Sequence, residues 1–151
     1  MVKGRAGMIR RYGEAVKSGV RYTRRPGVYA VLMLGDRLLL THQAEPIPEV
    51  QLPGGGIDPG ESPIAALHRE VFEETGWRIG PPRRIGAFRR FTYMPEYDLW
   101  AEKLCMIYLA RPVLRHGPPS EAGHTALWLS IPEAAQELGN AGDRAFVRGL
   151  F

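Results

Sequence analysis

The sequence predicts an α/β fold in which one mixed β-sheet lies between helices. Three observations carry that expectation. Apolar, β-prone runs alternate along the chain with segments that carry helix caps and helical spacing. A glycine- and proline-rich stretch, Leu52 to Glu61, leads directly into the best-capped helix. No internal repeat or boundary divides the chain, and 151 residues suit a single core that needs no disulfide or structural zinc.

The elements follow in order. Residues 1–25 are a basic segment, either flexible or a first strand, and residues 26–151 form the folded domain. In that segment Lys3, Arg5, Arg10, Arg11, Lys17, Arg21, Arg24 and Arg25 face only Glu14, a balance of +7, whereas the rest of the chain carries −3. Such an arm can steer a polyphosphate or contact RNA, or be a solvated leader. Arg24 and Arg25 abut the first core strand and can reach a cleft. Val28 to Leu34 and Leu38 to Thr41 read as strands joined at Gly35-Asp36, a two-residue hairpin turn. His42 to Gln51 reads as a loop. Ser62 is a natural N-cap, Pro63 suits the first helical position, and Gly76 can take the left-handed conformation that ends a helix. Ile64, Leu67 and Val71 make its core-facing stripe.

Beyond Pro81-Pro82 a strand runs from about Arg84 to Tyr93. Leu104 to Leu109, apolar at successive positions, should be a strand buried on both faces, with Cys105 as a small buried hydrophobe. A single cysteine permits no intrachain disulfide. Ala126 to Leu129 is a short strand after a proline-marked loop. Ser130 and Glu133 form a capping box for a helix through Leu138, and Asp143 can cap a last helix ending near Phe151. No apolar run approaches the roughly 18 residues of a membrane span, and the first residues lack the apolar centre of a secretory signal, so a cytoplasmic location is expected.

The chemistry concentrates on the helix after Ser62. Glu70, Glu73 and Glu74, at spacings of three and four, share a face, and like charges so placed repel by a few tenths of a kcal/mol per pair. Hard oxygen donors on one face suit magnesium or manganese. Arg69, four residues before Glu73 and one before Glu70, can orient a carboxylate. A solvated acidic helix is the plainer alternative, but it leaves the preceding Leu52-Pro53-Gly54-Gly55-Gly56-Ile57-Asp58-Pro59-Gly60-Glu61 unexplained. That composition describes a constrained loop whose backbone can approach a ligand closely.

Gly55 to Trp77 resembles a complete Nudix box, with Gly55, Glu61 and Arg69-Glu70-Val71-Phe72-Glu73-Glu74-Thr75-Gly76-Trp77 at the fixed positions. The resemblance covers 23 residues and implies a Nudix-type α/β/α sandwich with a mixed β-sheet. It also implies Mg2+- or Mn2+-dependent hydrolysis of a nucleoside diphosphate linked to another moiety. On this resemblance Glu73 and Glu74 are metal ligands, Glu70 is a further ligand or the base, and the Gly54 carbonyl is a backbone ligand. Glu121, in the loop before the Ala126–Leu129 strand, falls where many Nudix enzymes place an additional metal ligand or base. His124 either contacts phosphate or is a plain loop histidine.

Tyr93, sixteen residues beyond Trp77, is similar in placement to the adenine-packing aromatic of dinucleoside polyphosphate hydrolases, whereas nearby Pro95 resembles ADP-ribose hydrolases. Arg89 and Arg90 can pair with phosphates, though strand alternation turns only one inward. The expected substrate is therefore a small nucleotide, a dinucleoside polyphosphate or an ADP-ribose-like compound. Water attacks phosphorus, and Glu70 or else Glu121 takes its proton. Two other readings stay open: a catalytically silent nucleotide sensor, and an RNA 5′-end pyrophosphohydrolase helped by the basic arm. Homodimers are frequent in the family, and no residue marks an interface.

Overall fold

The computed structural model describes residues 9–150. Lys3 and Arg5 of the basic segment, and Phe151 at the expected end of the last helix, lie outside the described residues. The strands are β1 (Arg11–Tyr12), β2 (Thr23–Leu34), β3 (Arg37–Gln43), β4 (Glu49–Gln51), β5 (Gly54–Gly56), β6 (Trp77–Ile79), β7 (Arg83–Met94), β8 (Leu99–Ala110), β9 (Pro112–Arg115) and β10 (His124–Ser130). Helix α1 (Pro63–Thr75) lies between β5 and β6; α2 (Ile131–Glu137) and α3 (Ala141–Arg148) close the chain. A 3-10 turn, Pro95–Tyr97, joins β7 to β8.

The main sheet runs β1-β7-β8-β2-β3-β10, with β4 on β3 and β5 on β2; β6 and β9 pair separately. The β1–β7 and β2–β8 pairs are parallel and the others antiparallel, so the sheet is mixed as expected. Alternation along β2 sends Val28, Ala30 and Leu32 to one face, where they meet Ala66, Leu67 and Val71 of α1. Val31 faces the other way, into a second core with Phe88, Cys105 and Ile107 of the sheet and Ala134, Leu138 and Val147 of α2 and α3. β8 supplies both cores, which is why Leu104 to Leu109 carries no alternation in sequence. The product is the α/β/α sandwich.

Several local expectations need adjustment. Ile64 is 40% exposed, because it lies in the first turn of α1, and burial depends on position along a helix as well as around it. Leu67 and Val71 are fully buried, and each contributes about 1.5–3 kcal/mol. That outweighs the few tenths of a kcal/mol lost to glutamate repulsion. The glycine run, expected as a loop, is strand β5: Gly54, Gly55 and Gly56 pair with Tyr29, Val28 and Gly27. The loop His42 to Gln51 ends in β4, paired with β3. β2 extends back to Thr23 because Ala101 to Ala110 of β8 supply a parallel partner, which apolar patterning does not register. Asn140, not Asp143, caps α3: its Oδ1 accepts the Asp143 N–H at 2.8 Å. Asp143 is buried three residues into that cap and accepts the Leu52 N–H at 3.3 Å. The Gly35-Asp36 hairpin and the Ser130–Glu133 capping box form as expected. No helix among the described residues is long and apolar enough to cross a membrane.

Candidate active site

The site depends first on how α1 is anchored. Ser62 Oγ accepts the Ala65 N–H at 3.1 Å, and Gly76, with φ of 76°, closes the helix in the left-handed conformation. The loop after β9 then satisfies carbonyls at that end. The His116 N–H donates to the Gly76 carbonyl and the Glu121 N–H to the Glu73 carbonyl, both at 2.9 Å. The second bond seats Glu121 beside the acidic residues of α1.

Leu67, Val71 and Glu74 succeed one another at helical spacing, so Glu74 continues the buried stripe and is only 3% exposed. The Gly54 N–H donates to its Oε2 at 3.3 Å. At Gly54, with φ of 153°, any side chain would collide with the backbone of Val28 and Tyr29. A Cβ on Gly55 would lie 2.6 Å from the carboxyl carbon of Glu70. The glycines thus bring the β5 backbone against two carboxylates. On the open side Arg69 spans the cluster, reaching Glu61 at 2.8 and 2.9 Å, Glu70 at 3.0 Å, Glu73 at 3.3 Å and the Gly56 carbonyl at 3.1 Å.

His124, at the start of β10, belongs to the cluster. Its Nδ1 lies 2.9 Å from the Thr41 hydroxyl and 3.8 Å from the Glu74 carboxylate, and its Nε2 is 3.9 Å from Glu121. Thr41 donates in turn to the Glu74 carbonyl at 3.4 Å. Ligand atoms of Glu70, Glu73 and Glu121 lie within 4.8 Å of one another, and so do those of Glu74, Glu121 and His124. Burial, and then the neighbouring Glu121 and Glu73, push the Glu70 carboxyl up to about 6 against the pull of Arg69. Burial and Glu70 push Glu74 well above the usual carboxylate range. The Arg69 hydrogen bond holds Glu61 down at about 2. An oxygen-rich donor set whose members raise one another's proton affinity fits a hard divalent cation, which would relieve that crowding.

These groups form one end of a cleft. Farther along the sheet it is lined by Arg25, Lys103 and Arg90, with Tyr97, and beside Leu52 by Asn140 and Asp143. The fold therefore gathers Gly54, Arg69, Glu70, Glu73, Glu74 and Glu121, and sets Arg25 farther along the same cleft. Arg89 and Tyr93 do not line it. Both sit at odd positions of β7, where Arg89 donates to the Ile9 carbonyl at 3.2 Å and Tyr93 packs on Trp100 with ring centroids 5.2 Å apart and bonds Asp98. Arg90 is the arginine that turns inward, and Tyr97, over which Arg25 lies at 4.6 Å, is one of the aromatics at the cleft. Cys105 is buried and its thiol is pushed up to about 12 by that burial. Lys103 and Asp143 carried no signal as site residues, because their place in the cleft depends on long-range strand pairing and on α3.

The NUDIX-domain family model matches residues 23–150. The chain is 32% identical over 74 residues to a putative 8-oxo-dGTP diphosphatase of Bacillus subtilis, covering 49% of this chain and 50% of that one. It is 37% identical over 86 residues to an RNA pyrophosphohydrolase of Cereibacter sphaeroides, covering 56% and 51%. It thus spans about half the length of these curated relatives. A solved NUDIX hydrolase from Nitrosomonas europaea matches with a TM-score of 0.64 at 26% identity, covering 76% of this chain and 78% of that one.

Proposed function

This chain belongs to the NUDIX hydrolase family, and we propose that it is a divalent-cation-dependent pyrophosphohydrolase acting on a nucleoside diphosphate linked to another moiety. The observation that carries the proposal is the convergence of Glu70, Glu73, Glu74, Glu121 and His124, with ligand atoms within 4.8 Å in two overlapping sets at the end of a cleft. Glu73, Glu74, Glu121 and the Gly54 carbonyl would hold magnesium or manganese. When bound, the cation supplies charge neutralisation at the phosphate oxygens and a more acidic water. Glu70 would accept the proton of the attacking water, its carboxyl being raised towards the working pH by burial and fixed by Arg69. Arg69, clamped by Glu61, is a positioning residue. Glu121 is the alternative base, and a Glu70→Gln variant that keeps full turnover would transfer the role to it.

The preferred substrate is a dinucleoside polyphosphate or an ADP-ribose-like compound. The names of the similar proteins add nucleoside triphosphates and RNA ends. The RNA reading has its own support, the exposed Arg10, Arg11, Lys17 and Arg21 of the basic segment. The deciding experiment is a hydrolysis panel with magnesium or manganese over diadenosine polyphosphates, ADP-ribose, nucleoside triphosphates and 5′-triphosphate RNA, with EDTA and Glu74→Gln as controls. Cation-dependent release lost in Glu74→Gln is the expected outcome. Nucleotide binding without any turnover would make the protein a sensor. A selective fall in RNA turnover in Arg10→Gln/Arg11→Gln would favour the RNA enzyme.

A further inference from the structure

Arg25, Lys103 and Arg90 occupy one rung of the sheet. Arg25 is the Cα partner of Lys103 across the parallel β2–β8 pair, and Lys103 is the partner of Arg90 across the antiparallel β8–β7 pair. Directly paired residues project from the same face, and all three side chains line the cleft. At a strand spacing of about 4.8 Å the three cations stand side by side over roughly 10 Å. Like charges placed directly opposite destabilise a sheet.

No direct ion pair offsets them, although the buried carboxyl of Asp143 lies close enough to feel Arg90 and Lys103. Among the described residues none of the three side chains makes an ion pair or a hydrogen bond, although each residue is half-buried. Glu102, next to Lys103 in sequence, points to the opposite face and pairs with Arg24 at 3.5 Å and Arg89 at 3.7 Å. Arg25 rests over Tyr97, and the Lys103 ammonium lies 5.9 Å from the centre of the Tyr29 ring. Of the acids on this stretch of the lining, Asp143 is engaged by the Leu52 amide and Glu96 comes within ion-pair distance of none of the three. Three clustered cations that face a cleft with no carboxylate in ion-pair contact suit an oxyanion. Two guanidinium forks suit bidentate phosphate contact and the ammonium adds a point charge.

The backbone of this rung is offset along the sheet from the strand that meets the carboxylates, while the Lys103 side chain reaches back to within 5.9 Å of the centre of the Tyr29 ring. Along β2, Arg25 precedes Tyr29, the partner of Gly54, by four residues, about 13 Å at the rise of a strand. Resting on the pyrophosphohydrolase reading above, we infer that the Arg25–Lys103–Arg90 rung binds a phosphate group of the substrate that lies beyond the diphosphate being cleaved. The substrate class is thereby narrowed to nucleotides with an additional phosphate, either farther along a polyphosphate chain or as a monoester on a ribose.

The test begins without metal. Inorganic tripolyphosphate is titrated calorimetrically into the full-length protein in EDTA, and into the Lys103→Met, Arg90→Gln and Glu74→Gln variants. Binding should weaken at least about tenfold in Lys103→Met and Arg90→Gln, the size of a lost charge-assisted contact, and persist in Glu74→Gln. Melting temperatures of the two rung variants should equal or exceed the wild-type value, since like-charge repulsion has been removed. Absence of metal-free binding, or binding indifferent to both substitutions, overturns the inference. Failure of the catalytic reading alone would leave this titration intact. The turnover arm compares kcat/KM for diadenosine tetraphosphate and for ADP-ribose 2′-phosphate, each relative to ADP-ribose. A tenfold fall of the first ratio in Lys103→Met identifies the chain phosphate, and of the second the ribose phosphate. Ratios unchanged while all turnover falls would place the cations on the scissile diphosphate and overturn the separate site.

Discussion

At one end of the cleft Glu61, Glu70 and Glu73 share a single guanidinium, with Arg69 reaching them at 2.8 to 3.3 Å, while Glu74 is tied to the Gly54 amide and Glu121 to the helix end through its backbone. At the other end Arg25, Lys103 and Arg90 stand in a row with no carboxylate within ion-pair distance among the described residues. Both ends concentrate like charge, but they do so by different means. The acidic end is built from one helix and its neighbours and is cross-linked to itself, so its geometry is set whether or not a ligand is present. The basic end is positioned only by the sheet, and its side chains remain available. Rigid carboxylates suit a cation with demanding coordination, whereas adaptable arginines and a lysine suit phosphate oxygens approached from several directions.

The contrast can be broken most completely at Glu74. Glu74→Gln should lower cation-dependent turnover by more than the 10–100-fold typical of a lost outer-shell partner, with a melting temperature no lower than wild type because burial disfavours the ionised carboxyl and the amide keeps its size. A variant that loses activity only in step with unfolding would contradict the assignment. Asp143, the buried acid among the cations, comes next. Burial raises its carboxyl to about 6 from an ordinary 3.8. Because the folded value lies above the unfolded one, the stability it contributes is present in full below about pH 4 and is lost as pH rises through about 6. Urea unfolding of Asp143→Asn should therefore lose less stability than wild type across that window, by up to about 3 kcal/mol. Parallel pH profiles for the two proteins would refute it.

Arg69→Lys keeps the charge but not the fork, so roughly a 10–100-fold loss of cation affinity or turnover is expected, read from magnesium titrations of the rate. The smallest effect sharpens the idea of close approach. A methyl at Gly55 would meet the Glu70 carboxylate, which Arg69 holds, so Gly55→Ala should lower the rate by displacing that carboxylate while costing less stability than a core truncation. An unchanged rate would mean that the position of Glu70 is not critical.

Much of the acidic end was legible because its determinants are local. The Ser62 and Gly76 caps, the three-and-four spacing of the glutamates and the Arg69–Glu73 pairing all follow from helix geometry. One part was readable but missed: Glu74 lies three residues after Val71 and seven after Leu67, which places it on the buried stripe. Asp143 was mistaken for a cap because Asn140, three residues earlier, is an equally good acceptor. His124 gains meaning only from Thr41 and Glu74, which lie 83 and 50 positions away in the chain. Arg25 and Arg90 are candidates in the sequence, but their grouping with Lys103 is not legible there, since the three become neighbours only through strand register, which also decides that Arg90 and not Arg89 turns to the cleft.

The parallel pairing of β2 with β8 has a consequence for synthesis and refolding. Thr23 is the register partner of Ala101, 78 positions later, and the pairing continues to Leu32 and Ala110. The central strand is thus made early and must wait, one edge unpaired, while most of the chain emerges. α1 and the glycine strand can associate with the β2–β3 hairpin beforehand, but β8, the Glu121 loop and β10 arrive last. A high share of such distant pairings slows the search for the native state and lengthens the time that apolar β2 is open to other chains. Concentration during refolding, more than the final stability of the fold, should therefore govern the yield of active protein.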